Sequence, residues 1–293
     1  DYEYKGIGLK VKDVPARVPG SYEKTRIKSG EYILSIDKNP VSSNETLYDM
    51  LNRKSGRYVE FTVNDKPEAK DARSVKYKLL SSTEWSQLQY NNWVDHCRQV
   101  VEKKSKNIVG YLHLSAMGSS DQKKFEREAY EYIQGKEAMI FDVRFNRGGN
   151  ISDTLIDWLE RKPHGIYKSR DRKPEIAPSR AWNKPIIVLM NEHSYSNGEM
   201  FPYAMRQRGL AKIVGMPTPG YVIWTSSFTL TDGTRARIPG KGVFRLDETN
   251  MENNGEKPDI QVWLTPEEWL SGKDPQLDKA VEMLLPQPVK ATP

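Results

Sequence analysis

Short apolar runs alternate with amphipathic segments from residue 108 onward, and this alternation limits the folds that the chain can adopt. The runs at 108–114, 138–144 and 185–191 have the length and apolar character of strands buried on both faces. The segments 120–134 and 199–208 repeat apolar residues at three- and four-residue steps, as helices do. Such alternation predicts an α/β layered domain with a largely parallel sheet, whose ligands bind at the carboxyl ends of the strands.

Residues 1–82 have a different pattern, which is typical of a small β-rich unit. We predict one helix at 44–52, with Asn44 at its N-cap, and strands at 6–12, 31–37, 58–63 and 73–79. The stretch SGEYILSIDKNPV resembles the core of PDZ domains, with Glu31 and Lys38 in place of the usual Asp and Gly. That resemblance implies peptide capture by strand addition at a sheet edge, or alternatively a brace for the neighbouring domain.

Apolar residues recur at helical steps through 83–106, so we expect a linker helix there. The chain is accordingly divided into a PDZ-like domain at 1–82, a linker helix at 83–107 and a core domain at 108–293.

Charge and composition exclude several classes of function. Lys and Arg total 45 against 39 Asp and Glu, a net charge of +6, but the two signs are interleaved, which indicates a solvated surface and no nucleic-acid site. No run approaches the roughly 20 apolar residues that a membrane span needs. Cys97 is the single cysteine, so no internal disulfide can form. Neither His-Glu-x-x-His nor paired cysteines occur, and we expect no metal and no cofactor.

Two adjacent glycines, Gly148 and Gly149, follow a predicted strand in the motif DVRFNRGGN. Glycines at such a place allow unusual backbone angles and let backbone N–H groups converge on an anion. The motif lacks both common phosphate-loop patterns. An oxyanion hole and a plain tight turn remain as interpretations, and the local sequence favours the turn.

The motif NEHSYSNGE at 191–199 also lies between a buried strand and an apolar helix, where nucleophile elbows occur. It is not Gly-x-Ser-x-Gly, so an α/β-hydrolase does not match. A serine here presents its hydroxyl at a helix N-terminus, where the helix dipole favours developing negative charge. Alternatively, Ser196 caps the helix, because Glu199 follows at capping-box spacing. Taken alone, capping is the better explanation.

A third motif, MENNGEKPDI at 251–260, is by itself only a polar turn. In this order and spacing, however, the three motifs resemble those of tricorn-type peptidases, which are relatives of the carboxy-terminal processing peptidases. The segments VGYLHL at 109–114 and LTDG at 230–233 fit the same family. The resemblance implies a serine endopeptidase with a tricorn-like catalytic core at 108–293, an α/β fold of the ClpP/crotonase-like spiral type.

The resemblance also implies roles for individual residues. Ser196 is the nucleophile that forms an acyl-enzyme. The backbone N–H groups of Asn197 and of Gly148 or Gly149 form the oxyanion hole. Glu252 orients the general base, as the third member of a triad does.

The general base itself is harder to assign. Processing peptidases use a lysine, but Tyr221 stands at that position, and a tyrosine of ordinary pKa is a poor base at neutral pH. Tricorn-type peptidases use a histidine in a T-S-H motif before the PDZ domain, and this chain has no such motif. We therefore expect the base on a segment upstream of Asp1. His113 is the tentative candidate within the chain, and a pseudo-peptidase that has lost its base is the alternative.

The family resemblance implies a peptide or an unfolded protein as substrate, and it implies a homo-oligomer. A non-catalytic module that binds peptides at the PDZ edge is the alternative function. Because the chain begins at Asp1 rather than at Met, we expect a processed form or a fragment. The family resemblance implies a periplasmic or otherwise exported location, because many bacterial relatives are exported and a trimmed N-terminus suits export; a cytoplasmic location is the alternative.

Overall fold

The computed structural model describes residues 1–42, 47–172, 174–178 and 181–285, so the N-cap predicted at Asn44 lies outside the described residues. The chain divides into two compact units, Asp1–Asp95 and His96–Pro293. Each unit has an apolar core of its own. The helix predicted at 83–106 is present as Ser82–Lys104, and it contributes residues to both units.

An antiparallel sheet of five strands forms the first unit. Its strands are β1 (Leu9–Lys10), β2 (Tyr32–Ile36), β3 (Asn39–Pro40), β4 (Tyr58–Asn64) and β5 (Arg73–Lys78). Outside the Ser82–Lys104 segment, its described residues form one α-helix, α1 (Leu47–Leu51), and two 3-10 turns at Pro19–Ser21 and Glu23–Thr25. The strand order is β1-β2-β4-β5, with β3 paired to β2. The alternation along β4 buries Val59, Phe61 and Val63 on one face, which is the reason that this segment forms a half-buried strand.

A parallel sheet of five strands forms the centre of the second unit, in the order β14-β11-β10-β7-β6. All side chains of β6, β7 and β10 are buried, as expected for strands covered on both faces. The strands, numbered along the chain, are β6 (Val109–His113), β7 (Ala138–Asp142), β8 (Gly165–Tyr167), β9 (Glu175–Ala177), β10 (Ile186–Met190), β11 (Lys212–Gly215), β12 (Trp224–Thr229), β13 (Arg235–Lys241) and β14 (Ile260–Gln261).

Helices lie between the strands of the parallel sheet and after its last strand. They are, after the long helix α2 (Ser82–Lys104), α3 (Ser119–Glu128), α4 (Ser152–Leu159), α5 (Asn197–Gln207), α6 (Pro266–Leu270) and α7 (Pro275–Leu284). Because the central strands are parallel, the turns that follow β6, β7 and β10 all leave the same edge of the sheet. The motifs at 142–150 and 191–199 therefore meet at one edge, whereas the motif at 251–260 precedes β14.

The structure differs from the predicted elements at one strand, at the start of one helix and at two hairpins. The strand predicted at 6–12 is reduced to Leu9–Lys10, because Gly8 has a φ of 76° and interrupts the extended backbone. The helix predicted at 199–208 begins two residues earlier, at Asn197. Two antiparallel hairpins, β8–β9 and β12–β13, were not predicted, and nearly all of their residues are exposed.

Within the described part of the chain, no helix combines the length and the apolar composition that a membrane crossing requires.

Candidate active site

Ser196 lies in a sharp turn between β10 and α5. Its φ of 53° and ψ of −117° lie outside the regions that a serine usually adopts, as is typical of a strained strand-to-helix turn at a functional site. Its hydroxyl forms no cap hydrogen bond with the helix. The Glu199 N–H donates instead to the Ser196 carbonyl, at 2.8 Å. One half of the predicted capping box is present, because the Glu199 carboxylate accepts the Ser196 N–H at 3.1 Å. The hydroxyl takes no part in it, and the side chain is left half-exposed at the helix start.

The turn that contains Gly148 and Gly149, called the glycine turn below, lies directly against Ser196. A Cβ placed on Gly148 would be 2.6 Å from the Ser196 Cβ and 3.2 Å from the Asn197 nitrogen, so only glycine leaves the space in front of the hydroxyl open. Gly149 lies equally close to a neighbouring backbone, because a Cβ on it would be 2.0 Å from the Met117 carbonyl oxygen. Both glycines have positive φ, of 79° and 152°.

The backbone N–H groups beside Ser196 differ in their partners. The Gly148 N–H donates to Asn146 Oδ1 at 2.8 Å, so it is already used within its own turn. The N–H groups of Gly149 and Asn197 have no hydrogen bond among the residues that the structure describes. Of the two glycines named as possible oxyanion donors, Gly149 is thus the one whose amide hydrogen is available.

Asn146 joins the glycine turn to the serine turn. Its side chain is fully buried, donates to the Leu114 carbonyl at 2.7 Å and accepts the Gly148 N–H, while its carbonyl accepts the Tyr195 N–H at 2.8 Å. Asn197 makes a similar link, because its carboxamide exchanges two 2.9 Å hydrogen bonds with Ser152 at the start of α4. Asn146 was not predicted as a site residue, and Asn197 was predicted only for its backbone N–H, although both belong to the motifs that the sequence singled out.

The Glu199 carboxylate is a further group that sequence analysis noted only for helix capping. It is fully buried and accepts four hydrogen bonds, of 2.6 to 3.1 Å, from the Thr218 hydroxyl and the N–H groups of Ser196, Gly220 and Tyr221. Burial raises the pKa of this carboxyl, and the hydrogen bonds offset part of the shift. Glu199 therefore holds the 218–221 loop against the turn that carries Ser196.

Glu252 lies on the loop that follows β13, and its carboxylate faces the backbone that continues from the 218–221 loop. Its Oε2 accepts the N–H groups of Val222 at 2.8 Å and Ile223 at 3.0 Å. Its Oε1 has no hydrogen bond among the described residues. The tyrosine at the lysine position, Tyr221, is 59% exposed and immediately precedes the backbone that Glu252 holds.

His113, the tentative base, is placed at the buried end of β6. The ring is 1% exposed, and its Nε2 lies 2.8 Å from the Arg144 carbonyl oxygen, so this nitrogen carries the hydrogen and donates. Burial lowers the pKa of His113 to about 4. The imidazole is therefore neutral at physiological pH, and its Nε2 serves the turn that follows β7 rather than accepting a proton.

Arg144 is a buried arginine just after β7, at the same edge of the sheet. Its guanidinium is fully buried and binds both carboxylate oxygens of Asp142 and both of Asp274, the N-cap residue of α7. Burial opposes the charge, but the two aspartates raise the pKa of Arg144 well above its ordinary value. This ion-paired arginine fixes the end of β7 to the C-terminal helix, and sequence analysis had not assigned it a role.

Among the described residues, no group of three or more His, Cys, Asp or Glu side chains is arranged to hold a metal ion.

Comparisons with known proteins identify the family of the chain. The sequence model of Peptidase family S41 matches residues 108–262, which include all three motifs. The tricorn protease of Thermoplasma acidophilum is 31% identical over 259 residues, which cover 88% of this chain and 24% of that protein. The putative Tricorn-like protease C-terminal subunit of Sulfurisphaera tokodaii is 32% identical over 275 residues, which cover 93% of this chain and 31% of that protein.

A solved structure has the same fold. The crystal structure of the tricorn protease matches with a TM-score of 0.78 and 29% identity, covering 87% of this chain and 25% of that one. The chain thus spans 24% to 31% of the length of these relatives. The family match extends over more than half of the chain, 155 of the 293 residues from 108 to 262, and on this ground the chain belongs to Peptidase family S41.

Proposed function

We propose that this chain carries the catalytic serine and oxyanion site of a serine peptidase. The observation that supports it most is the pairing of a serine hydroxyl, unused by its own helix, with a glycine turn that leaves the space before it open. Ser196 Oγ attacks the carbonyl carbon of a peptide bond, the amine leaves, and water hydrolyses the acyl-enzyme. The N–H groups of Asn197 and Gly149 hold the oxyanion that forms on the way.

Glu252 is proposed as the residue that orients the general base. Its Oε2 is held by two backbone N–H groups, which keep the carboxylate in one position. Its Oε1 is the oxygen available to accept a hydrogen bond from an imidazole, and a carboxylate in that role stabilises the imidazolium that forms during acylation. His113 has its Nε2 committed to Arg144, so it is the weaker choice for that imidazole.

Labelling with a fluorophosphonate probe tests the nucleophile, with the intact polypeptide as it occurs. We expect a single adduct on Ser196, and none in Ser196→Ala, whose thermal stability should equal that of the parent. Ser194→Ala is the matched control in the same turn, because its hydroxyl bonds the Val143 carbonyl and the Asn191 N–H. That variant should still be labelled but should lose about 1–3 kcal/mol of stability. Labelling that survives Ser196→Ala, or none in the parent, contradicts the proposal.

We also propose a division into a PDZ-like domain at 1–82, a linker helix at 83–107 and a core of the ClpP/crotonase-like type at 108–293. The PDZ-like domain is proposed to capture peptide ends. The antiparallel sheet of the first unit and the parallel sheet of the second support this division. Isothermal titration of the Ser196→Ala protein with peptides that end in a free or an amidated carboxyl group tests the capture. Equal binding of both would contradict it.

The substrate is proposed to be a peptide or an unfolded protein, and the assembly a homo-oligomer. Sedimentation velocity tests the assembly directly, since a monomer at working concentration would contradict it. An exported location remains the proposal for the compartment, to be tested by fractionating cells that produce the protein.

A further inference from the structure

Five aromatic rings form a continuous row on the surface beside Ser196. In order they are Tyr221, Tyr195, His193, Phe145 and Trp269, and neighbouring ring centroids are 5.7, 6.5, 5.7 and 5.9 Å apart. Tyr221 is 59% exposed, Trp269 45% and Phe145 36%. A contiguous exposed aromatic surface of this kind marks a place where another molecule binds.

The row is built from four separate segments, and specific polar contacts hold its rings in place. One buried oxygen, Asn191 Oδ1, accepts the N–H groups of both Phe145, at 3.0 Å, and His193, at 3.2 Å. Phe145 has a φ of 60°, which is unusual for a bulky residue and turns its ring toward His193. At the other end, Glu199 holds the Tyr221 N–H at 2.7 Å. The ring positions therefore depend on the same contacts that shape the serine turn.

The row passes the proposed reaction centre at its second ring, Tyr195. Tyr195 directly precedes Ser196, and its carbonyl oxygen lies 2.9 Å from the point that a Cβ on Gly148 would occupy. From Tyr195 the rings continue in both directions, toward Tyr221 on one side and toward Trp269 on the other. A chain bound with its carbonyl at Ser196 thus has aromatic surface beside it.

The spacing of the rings suits an extended peptide. A strand rises about 3.3 Å per residue with successive side chains on opposite faces, so alternate side chains on one face are about 6.6 Å apart. The ring centroids are spaced at 5.7 to 6.5 Å. Alternate side chains of one extended segment can therefore each meet a different ring.

Charges near the row favour a peptide over a nucleic acid. Glu192 directly precedes His193, and Glu267 and Glu268 directly precede Trp269 in α6. Arg147, two residues after Phe145, is a basic residue in the same segments. Carboxylates repel a phosphate backbone, whereas an uncharged apolar peptide is not repelled.

We propose that this aromatic row is a substrate subsite for extended peptide segments with aromatic or large apolar side chains at alternate positions. The inference rests on the proposed peptidase function, because it takes the segment beside Ser196 as the substrate. It assigns substrate preference to Tyr221 and Trp269, which lie outside the three motifs.

Binding to the Ser196→Ala protein tests the row without requiring turnover. Two fluorescein-labelled peptides of identical composition serve as probes, Gly-Phe-Ser-Phe-Ser-Phe-Gly and Gly-Phe-Phe-Phe-Ser-Ser-Gly, and their dissociation constants are measured by fluorescence anisotropy. We expect the alternating peptide to bind at least about threefold more tightly, and Tyr221→Ala and Trp269→Ala each to weaken it by about three- to tenfold. Trp263→Ala is the matched control, since Trp263 is 57% exposed but outside the row, and it should change the affinity less than about twofold.

Several results would overturn the inference. They are equal affinity for the two peptides, no effect of either ring variant, tighter binding of a single-stranded oligothymidylate, or self-association that Tyr221→Ala abolishes without any effect on peptide binding. Failure of the proposed function has a different signature, because it appears as the absence of a fluorophosphonate adduct on Ser196 in the parent protein.

Discussion

Gly148 and Ser196 face each other so closely that a methyl group on the glycine would lie 2.6 Å from the Cβ of the serine. The two residues are far apart in the sequence, and each lies in a turn that leaves the same edge of the parallel sheet. Asn146 holds the two turns together through the Gly148 N–H and the Tyr195 N–H. The geometry of the candidate site therefore depends on how two loops pack, and substitutions can test that dependence.

Gly148→Ala should reduce fluorophosphonate labelling of Ser196 by at least about 10²-fold, because the methyl group fills the space where the oxyanion forms. The control is Gly209→Ala at the end of α5. Gly209 also has a positive φ, of 67°, but nothing lies within 4 Å of a Cβ there. Both variants carry backbone strain, so only the loss in Gly148→Ala that exceeds the loss in Gly209→Ala reports on the site. Equal labelling rates in the two variants would contradict the open-space argument.

Glu199→Gln should destabilise the core unit by about 2–4 kcal/mol. The carboxylate accepts two hydrogen bonds on each oxygen, and the amide nitrogen of glutamine would face two donors, each costing about 1–3 kcal/mol when buried without an acceptor. Urea denaturation measures the loss, and hydrogen exchange at Gly220 and Tyr221 should accelerate. Glu192→Gln in the same turn is exposed and should leave both readouts unchanged. A stable Glu199→Gln protein with slow exchange would refute the anchoring role.

His113 should make the stability of the core fall as the pH falls from about 6.5 to about 4. Its pKa is about 6.5 in an unfolded chain and about 4 in the folded protein, so the unfolded chain binds the proton first. The stabilisation is complete above pH 6.5 and is lost as the pH falls through the folded value, at no more than about 1.4 kcal/mol per pH unit. Urea denaturation between pH 4.5 and 7.5 should therefore give a flatter profile for His113→Gln, whose amide can still donate to the Arg144 carbonyl. His96→Gln, at an exposed position, should keep the slope of the parent.

Arg144→Leu should cost about 3–5 kcal/mol, because it leaves the buried Asp142 carboxylate without its ion partner. The double variant Arg144→Leu with Asp142→Asn should recover part of that loss, since the uncompensated charge is then gone. Arg147→Leu, an exposed arginine in the same motif, should change the unfolding free energy by less than about 0.5 kcal/mol. An additive double variant would show that the pair does not act as one unit.

Much of the fold could be predicted because its signals are local. The apolar runs of β6, β7 and β10 and the periodic segment of α5 were recognised to within two residues of their ends. The hairpin β12–β13 was missed because its residues are exposed on both faces and leave no burial pattern to read. The start of α5 was placed too late because the strained backbone of Ser196 has no signal in the sequence.

The sequence by itself determined which turns carry the candidate chemistry, because a serine at a helix start and paired glycines after a strand are local patterns. It also indicated the family, which the comparison established. Only the tertiary structure decided that the Gly148 amide is used while that of Gly149 is available, that His113 donates to a backbone carbonyl, and that Glu199 holds a distant loop. The His113 and Glu199 outcomes depend on distances between residues more than 20 positions apart, and the Gly148 outcome depends on the rotamer of Asn146 two residues earlier. A hydrogen bond requires an approach within about 3.2 Å that no spacing along the sequence specifies.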